Sequence, residues 1–471
     1  MRVSCSVLIV FLIAMASMEM SGAAWSAEDI KATPEPIAPI KAPFPMPQLT
    51  RPVFPALVED IRDHGAIGDG KTLCTKAFAK AIETCARQGG GRVLIPKGVW
   101  LTGPIHLKSN IELRMSEGAE VRFSQRYEHY LPVVLIQRGG VQCYNYSPLI
   151  YAIDCENIAV TGPGTLDGQG RAWWEFKNHQ PGMDRLFAAP AKGIPIKKRV
   201  FGTVEDGVRP PFLQFFRCKN ILLEGFTIKE SPSWCLHPVY CENVIVRKLR
   251  VLTEGAPNGD GIDPDSCKNF LIEHCYFANG DDCVILKAGR DEEAWQIGIP
   301  CENIVVRHCH MKTGHAGFGI GSEMSAGVRN VFVHDCHLEA THTGVNLKSK
   351  RGRGGVVENV WLENIHIGKK IPSDQSSNHF ADSSPQRAIR ISLYYGEWDT
   401  ATKAAPVFRN LYFRNITGYG SPYAMEIRGL RESPIKNVQF HNVKLTAQKG
   451  LVITDAKGLT FKNFQVHLQE P

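Results

Sequence analysis

An asparagine-centred unit recurs along the second half of the chain and strongly restricts the folds open to it. Between the first and sixth copies the spacing is about 23 to 34 residues, which is typical of a solenoid. The repeated asparagines are Asn220, Asn243, Asn269, Asn303, Asn330, Asn359, Asn410 and Asn437. A chain with this spacing is expected to stack similar coils on one another instead of closing a single layered core.

The pattern inside each unit identifies the type of solenoid. Apolar residues stand one and three positions after each asparagine, as in Ile221 and Leu223, and a period of two indicates a strand. The next apolar residue stands six positions after the asparagine, so the chain must turn a corner in between. Glycine or asparagine recurs at position five, where both tolerate a left-handed backbone. The sequence therefore predicts an all-β fold, a parallel β-helix, while the frame of leucine-rich repeats is absent.

A solenoid needs a cover at its ends. Between Thr75 and Arg87 the residues Phe78, Ile82 and Cys85 share one face at helical spacing. Three consecutive glycines at 89–91 follow. This segment is predicted to be an amphipathic helix that caps the N-terminal end of the β-helix.

The N-terminal segments are predicted to lie outside the solenoid. Residues 1–24 combine Arg2, an apolar run from Val7 to Ile13 and small residues, which is typical of a cleavable signal peptide. The run is too short for a membrane anchor. We therefore expect a secreted or periplasmic protein with no membrane segment in its mature form. Residues 25–55 are rich in proline and are expected to form an extended arm or linker, and residues 56–471 to form the β-helix domain.

Charge and cysteine content narrow the classes of partner. The net charge of +7 is a mild positive excess, and in an exported protein it favours an acidic polysaccharide over nucleic acid as the partner. Fourteen cysteines include Cys5 of the signal peptide, so an odd number remains and at least one thiol is unpaired within the chain. The absence of a C-x-x-C pair argues against a zinc ribbon.

Individual cysteines have several possible roles. Three of them, Cys275, Cys309 and Cys336, occupy the interior position six of the repeat and are expected to be small core residues, not metal ligands. Disulfides remain open between Cys74 and Cys85, and between Cys283 and either Cys301 or Cys309.

Two acidic clusters lie one coil apart. Asp260 and Asp263 stand in the first, and Asp281 and Asp282 follow Gly280 in the second. Neighbouring strands lie about 4.8 Å apart, so the clusters are expected to stack side by side. A bend at Gly280 is needed, because consecutive strand residues face opposite sides. Such a cluster can supply both a proton donor and a base that activates water. Asp263 and its neighbour Asp265 are expected to be turn or ladder residues.

A histidine and a basic run follow on the next two coils. His315 lies twelve residues after Asn303, as Asp281 lies twelve after Asn269, so the two are expected to stack. Lys348 lies one coil further, in a dense basic run that includes Arg351 and Arg353. These cations are candidates to bind the carboxylates of an acidic sugar.

Four short motifs in this region occur in a fixed order over about ninety residues. They are Asn258-Gly259-Asp260, Gly280-Asp281-Asp282, Gly314-His315-Ala316 and Asn346-Leu347-Lys348. The set resembles the NTD, DD, GHG and RIK signatures of the polygalacturonase-type glycoside hydrolases of family 28. It departs from them at Gly259 and Ala316, and the last motif keeps only its lysine, with Asn346 where the family has arginine.

The resemblance implies a fold, a reaction and residue roles. The fold would be a single-stranded right-handed parallel β-helix, and the reaction would be inverting hydrolysis of α-linked galacturonan by a monomer without metal or other cofactor. Asp281 would be the general acid, Asp260 and Asp282 would hold the water, and His315 would orient the acid. The substrate-binding residues implied are Asn258, Asn346, Lys348, Arg351 and Arg353.

The sequence leaves alternatives open for both the substrate and the function. The asparagine at position 346 leaves rhamnogalacturonan and xylogalacturonan open as substrates. A calcium-dependent pectate lyase on the same architecture is the second reading, since aspartates can bind calcium, and a non-enzymatic binding or adhesion β-helix is the third. The stretch from Trp173 to Pro211 and the long gap between Asn359 and Asn410 are predicted loops over the cleft, and they favour exo action.

Overall fold

In the computed structural model, which describes residues 35–368, 386–396 and 404–469, each repeat forms one coil of a right-handed parallel β-helix. Twenty-three strands join in one sheet system that winds through the coils. The first apolar position of the repeat forms a continuous interior column of register partners: Ile111, Ile158, Ile221, Val244, Phe270, Ile304, Val331, Val360, Leu411, Val438 and Leu459.

The described residues contain the following strands and helices. The strands, β1 to β29 in chain order, are Val58–Asp60, Asp69–Leu73, Gly91–Ile95, Gly98–Thr102, Ile105–His106, Ile111–Met115, Ala119–Phe123, Val134–Arg138, Val141–Asn145, Ile150–Ile153, Glu156–Thr161, Thr165–Asp167, Val200–Phe201, Leu213–Phe216, Lys219–Glu224, Thr227–Lys229, Glu242–Arg247, Arg250–Thr253, Lys268–Glu273, Tyr276–Asn279, Val284–Leu286, Cys301–Arg307, His310–Ile320, Val328–Lys348, Val356–Ile367, Gln386–Ser392, Val407–Arg428, Ile435–Thr454 and Ala456–Leu468. The helices, α1 to α4, are Thr75–Arg87, Arg171–Trp174, Pro181–Ala188 and Asp291–Ile297.

Asparagine fixes one corner of successive coils along the solenoid and a second corner in the C-terminal coils. The repeated asparagines themselves adopt positive φ, for example 56° at Asn243 and 54° at Asn269. Each side-chain amide donates to the amide oxygen of the preceding coil at 2.8 to 3.3 Å, in a ladder from Asn110 to Asn437. A second ladder links Asn364, Asn415 and Asn442 at the corner predicted for position five. The sequence pattern had indicated only this second corner.

The interior holds stacked side chains of matching type. Phe413, Phe440 and Phe461 stack at centroid distances of 4.9 and 5.2 Å in adjacent coils. The cysteines at position six are buried in the core, as predicted. All thirteen cysteines in the described part of the chain are free thiols, so none of the disulfides left open by the sequence is formed.

The N-terminal end is covered by α1, whose bounds match the predicted helix and whose Phe78, Ile82 and Cys85 are buried. Before it, residues 35–55 run without helix or strand along the outside of the sheet. There Leu49 packs with other apolar arm residues on the outward side chains of Leu222, Ile245 and further coils. Residues 35–55 of the predicted arm are therefore docked on the sheet.

Two elements outside the coils surround the cleft. The β8–β9 hairpin is antiparallel, and β13 pairs with β9 beside it. The insertion after Trp173 contains α3 and short helical turns, and it forms a wall beside this hairpin. The predicted signal peptide lies outside the described residues, as do residues 369–385 and 397–403 of the gap between Asn359 and Asn410. Within the described ranges, no helix has both the length and the apolar character needed to cross a bilayer.

Candidate active site

The acidic clusters meet because their coils are in register. The Gly261 amide donates to the Asp282 carbonyl at 2.8 Å, and the His315 amide donates to the Asp281 carbonyl at 2.9 Å. The isolated bridge between Ile262 and Val284 fixes the same register. Asp260, the Asp281–Asp282 pair and His315 therefore occupy three successive coils, as the spacing predicted.

Gly280 lets the chain bend before the acid pair. A β-carbon on this residue would lie 2.3 Å from the carbonyl oxygen of Ala256, so only glycine permits this close approach. After the bend the two carboxylates differ in exposure. The side chain of Asp281 is 23% exposed, whereas that of Asp282 is 2% exposed. The sequence placed both acids at one site, and the packing makes only Asp281 accessible.

Asp282 is held as a carboxylate. Lys348 Nζ lies 2.7 Å from its Oδ2, and His315 Nδ1 lies 3.3 Å from its Oδ1. Burial disfavours the charge, but the attraction of Lys348 and His315 outweighs it and lowers the pKa of Asp282 below its usual range. Both oxygens of this carboxylate therefore face cationic or polar partners.

Asp260 and Asp263 have the opposite environment. Burial, reinforced by the charge of Asp281, raises the pKa of Asp260 to about 8. Burial and the neighbouring Asp260 raise the pKa of Asp263 as well, although Lys287 Nζ lies 4.0 Å from its Oδ1. At neutral pH the pair Asp260 and Asp263 therefore retains a proton, whereas Asp282 in the adjacent coil is ionised.

Asp281 is oriented from two sides. The Nδ2 of Asn258 donates to its Oδ2 at 3.4 Å, and the Nδ1 of His315 lies 3.7 Å from its Oδ1. Buried Arg209 donates to the Oδ1 of Asn258 at 2.8 Å, which directs the amide nitrogen toward Asp281. Arg209 was not identified from the sequence, and no spacing signal marks it.

A buried ion network lies beside the carboxylates. Glu323 accepts from Lys287 at 3.2 Å and from Arg290 at 2.8 Å. Burial opposes its charge, yet the cations Lys287, Arg290 and Arg353 lower the pKa of Glu323 well below its usual range. Lys287 and Lys348 lie in the same column of stacked strand positions. The loops between their coils vary in length, so the sequence does not reveal this relation.

The predicted substrate-binding residues are not all brought together. Lys348 lies at the carboxylates. Arg353 is buried, and its Nη1 donates to both carboxylate oxygens of Asp291, at 2.6 and 2.7 Å. Arg351 pairs with Glu432 at 2.7 Å instead of reaching the acids. The expected roles of both arginines in substrate binding stay predictions.

Asn346 is fully buried, and neither atom of its amide has a hydrogen-bond partner among the described residues. It is in register with Arg390 of the next coil. An arginine thus stands one coil beyond the position where the resemblance expected it, and Arg390 lies 3.4 Å from Glu426. Only the register reveals this relation, because the chain between the two residues is long.

The donor set bears on metal binding. Ligand atoms of Asp281, Asp282 and His315 all lie within 4.8 Å of one another. Lys348, in contact with Asp282, places a positive charge where it would oppose a bound cation. Chemically, the arrangement suits proton transfer and activation of water better than ligation of a metal ion.

A cavity of about 580 Å³ opens beside the acids. Asn258 and Glu323 line its inner side, and the hairpin residue Arg138 lines another. The insertion contributes residues from Lys177 to Phe187 as the outer wall. The loop predicted after Trp173 is therefore placed at the cleft.

Comparison with known proteins gives a consistent result. The profile described as glycosyl hydrolases family 28 matches residues 202–467. A probable polygalacturonase from Vitis vinifera is 28% identical over 413 residues, covering 84% of this chain and 77% of that protein. An endo-polygalacturonase from Pectobacterium carotovorum subsp. carotovorum is 30% identical over 80% of this chain and 85% of that protein. A solved exopolygalacturonase from Thermotoga maritima superposes with a TM-score of 0.78 at 37% identity, covering 88% of this chain and 94% of that one.

The raised pKa of Asp260 predicts how stability responds to pH. The folded protein retains this proton up to about pH 8, whereas an aspartate in the unfolded chain loses it near its ordinary value of 3.8. Wild type should therefore lose free energy of unfolding as pH rises between these values, by up to about 1.4 kcal/mol per unit. Asp260→Asn cannot lose the proton, so its stability relative to wild type should increase from pH 5 to pH 8 in urea unfolding. Parallel curves for the two proteins would contradict the assignment.

Proposed function

The chain belongs to glycosyl hydrolases family 28, and from this premise we propose that it hydrolyses α-linked galacturonan from a chain end, with inversion at the anomeric carbon. Family membership makes it a glycoside hydrolase, which decides against the lyase and the non-enzymatic readings of the sequence. Polygalacturonases from plants and bacteria among its relatives support the galacturonan substrate.

The proposed mechanism rests on one observation: Asp260, Asp281 and Asp282 lie in adjacent coils but differ in exposure and in their charged neighbours. Asp281 is the accessible one, and Asn258 and His315 contact its carboxyl group. We assign it the role of general acid that gives its proton to the departing glycosidic oxygen. Asn258 and His315 hold the carboxyl group in place for that transfer.

Asp282 and Asp260 hold the attacking water in different ways. Asp282 stays ionised because of Lys348, so it can accept a proton from the water as the oxygen attacks the anomeric carbon. Lys348 and His315 face both of its oxygens, which disfavours direct attack by this carboxylate on the sugar and supports a single displacement. Asp260, with its raised pKa, keeps a proton and positions the water as a hydrogen-bonding partner.

Removal of sugars from a chain end is supported by the wall at the cleft. The insertion of α3 and its flanking turns bounds the cavity beside Asn258. A long polymer needs a cleft open at both ends, whereas a terminal sugar fits a cavity bounded at one end. Similarity to exopolygalacturonases from Thermotoga maritima and Dickeya chrysanthemi agrees with this proposal.

Product analysis tests the proposed reaction. Purified protein is incubated with polygalacturonate and, separately, with rhamnogalacturonan, and products are resolved over time, with proton NMR to read the first anomer formed. We expect monogalacturonate from the earliest times, formed with inversion, and at least a thousandfold lower kcat for Asp281→Asn. A ladder of oligomers would overturn exo action, the retained anomer would overturn inversion, and no product from either polymer would overturn galacturonan hydrolysis.

The lowered pKa of Asp282 predicts that the acidic limb of the kcat–pH profile depends on Lys348. A base must be ionised, so activity is lost as pH falls through its pKa, and in wild type this limb should lie below the ordinary range of aspartate. Lys348→Met removes the main attraction, so its kcat–pH profile should lose activity at least one pH unit higher. Lys348→Arg should restore the wild-type limb, and the exposed Lys312→Met serves as the control. Superimposable limbs for wild type and Lys348→Met would rule out the pairing as the cause.

We also propose export, on the strength of the apolar run after Arg2. The full chain, expressed in a bacterial host with an active secretion pathway, should be recovered outside the cytoplasm. N-terminal sequencing should find that it begins after Ala23 or Ala24. Recovery of an intact N-terminus from the cytoplasm alone would contradict this proposal.

A further inference from the structure

Arg138 is a buried cation that forms no ion pair with the residues that the structure describes. Its side chain is 5% exposed and lines the cavity next to the acids. Its Nε has no hydrogen-bond partner among the described residues, and none of the ion pairs that these residues form includes its guanidinium. Its guanidinium carbon lies over the ring of Trp234, 5.1 Å from the ring centroid. A buried guanidinium with no anion is unfavourable unless the site receives one.

The hairpin that carries Arg138 is firmly positioned. The two-residue turn Gly139-Gly140 has φ of 58° and 82°, which only glycine adopts easily, and the Arg290 amide donates to the Gly140 carbonyl at 3.0 Å. Gln137 donates to the buried Asp265 at 2.6 Å. These contacts hold the guanidinium at the cavity before any ligand arrives, which lowers the cost of binding.

The other charged side chains that line the cavity do not neutralise Arg138, so positive charge is in excess there. Glu323 is already matched by three cations, including Arg290. Lys177 lies at the exposed rim, and its pKa is lowered by partial desolvation and then by the like charges of Arg209 and Arg138. Asp184, also exposed, is the remaining acid of the lining. Two cations therefore face the cavity space against one carboxylate at its rim.

We propose that Arg138, assisted by Lys177, binds the free carboxylate of the uronic acid at the walled end of the cleft, so that the enzyme selects an unesterified hexuronate terminus. This rests on the proposed function and names the group that its cavity recognises. Guanidinium and carboxylate form short, charge-assisted and often bidentate hydrogen bonds. A methyl-esterified or neutral terminal sugar would leave Arg138 without a counter-ion and is therefore rejected.

A purely electrostatic role for Arg138 would give a different experimental result. Asp260 and Asp263 act on Arg138 electrostatically, without direct contact. If Arg138 served only to stabilise the charge of these acids, its removal would shift the alkaline limb of the pH profile. It would then leave the preference for acid over ester unchanged.

The test measures binding of the product without turnover. Titration calorimetry compares galacturonate, its methyl ester and galactose on wild type, Arg138→Met, Arg138→Lys and Arg171→Met. Arg171 is the matched control because its guanidinium also lies 5.1 Å from a tryptophan centroid, over Trp174, but it is exposed and paired with Glu230. KM and kcat for trigalacturonate are measured at several pH values on the same proteins.

We expect wild type and Arg171→Met to bind galacturonate at least tenfold more tightly than the ester or galactose. Arg138→Met should lose this preference and raise KM at least tenfold with little change in kcat, and Arg138→Lys should recover part of it. No preference in wild type, or an unchanged preference in a folded Arg138→Met, would overturn the proposal, as would a shift of the pH limb alone. Absence of hydrolysis with the binding preference intact would instead contradict the proposed function.

Discussion

In-register stacking of coils is the constraint on which the rest of this protein depends. Backbone hydrogen bonds repeat the strand spacing, and the asparagine ladder satisfies the side-chain amides at a corner where the backbone must be left-handed. Asparagine combines both properties, because it tolerates positive φ and can donate and accept along the stack. Once this corner is fixed, every position of the repeat becomes a column that runs along the helix axis.

The candidate site uses such columns to place like charges close together, which burial makes unfavourable. The structure resolves the conflict by giving each acid a different neighbour. Lys348 and His315 keep Asp282 ionised, while Asp260, buried next to Asp281, keeps a proton. A protonated and an ionised carboxyl group in adjacent coils thus follow from unequal environments of chemically identical residues. A change in Lys348 would act through its contact with Asp282.

Much of this could be predicted from residue spacing, and some of it could not. The strands and the meeting of Asp281 with His315 follow from fixed offsets inside each repeat. The capping helix α1 follows from its own helical periodicity, and the bend at Gly280 from the acid pair after it. The sequence did not identify the roles of Arg209, Lys287, Glu323 and Arg138. These residues lie in a hairpin and in coils that are separated by loops of variable length, so no fixed spacing marks them. The basic run was read as one patch, yet its arginines pair with separate acids, Asp291 and Glu432.

The amino-acid sequence by itself determined the coil, its apolar columns and the set of acids that share one region, since these depend on local periodicity. Only the tertiary structure decided which acid is ionised, which acid is exposed, and which buried cation has no counter-ion among the described residues. Those properties depend on burial and on side chains that approach from insertions far away in the chain. Burial and distance set the strength of each charge interaction, and neither can be read from the order of residues.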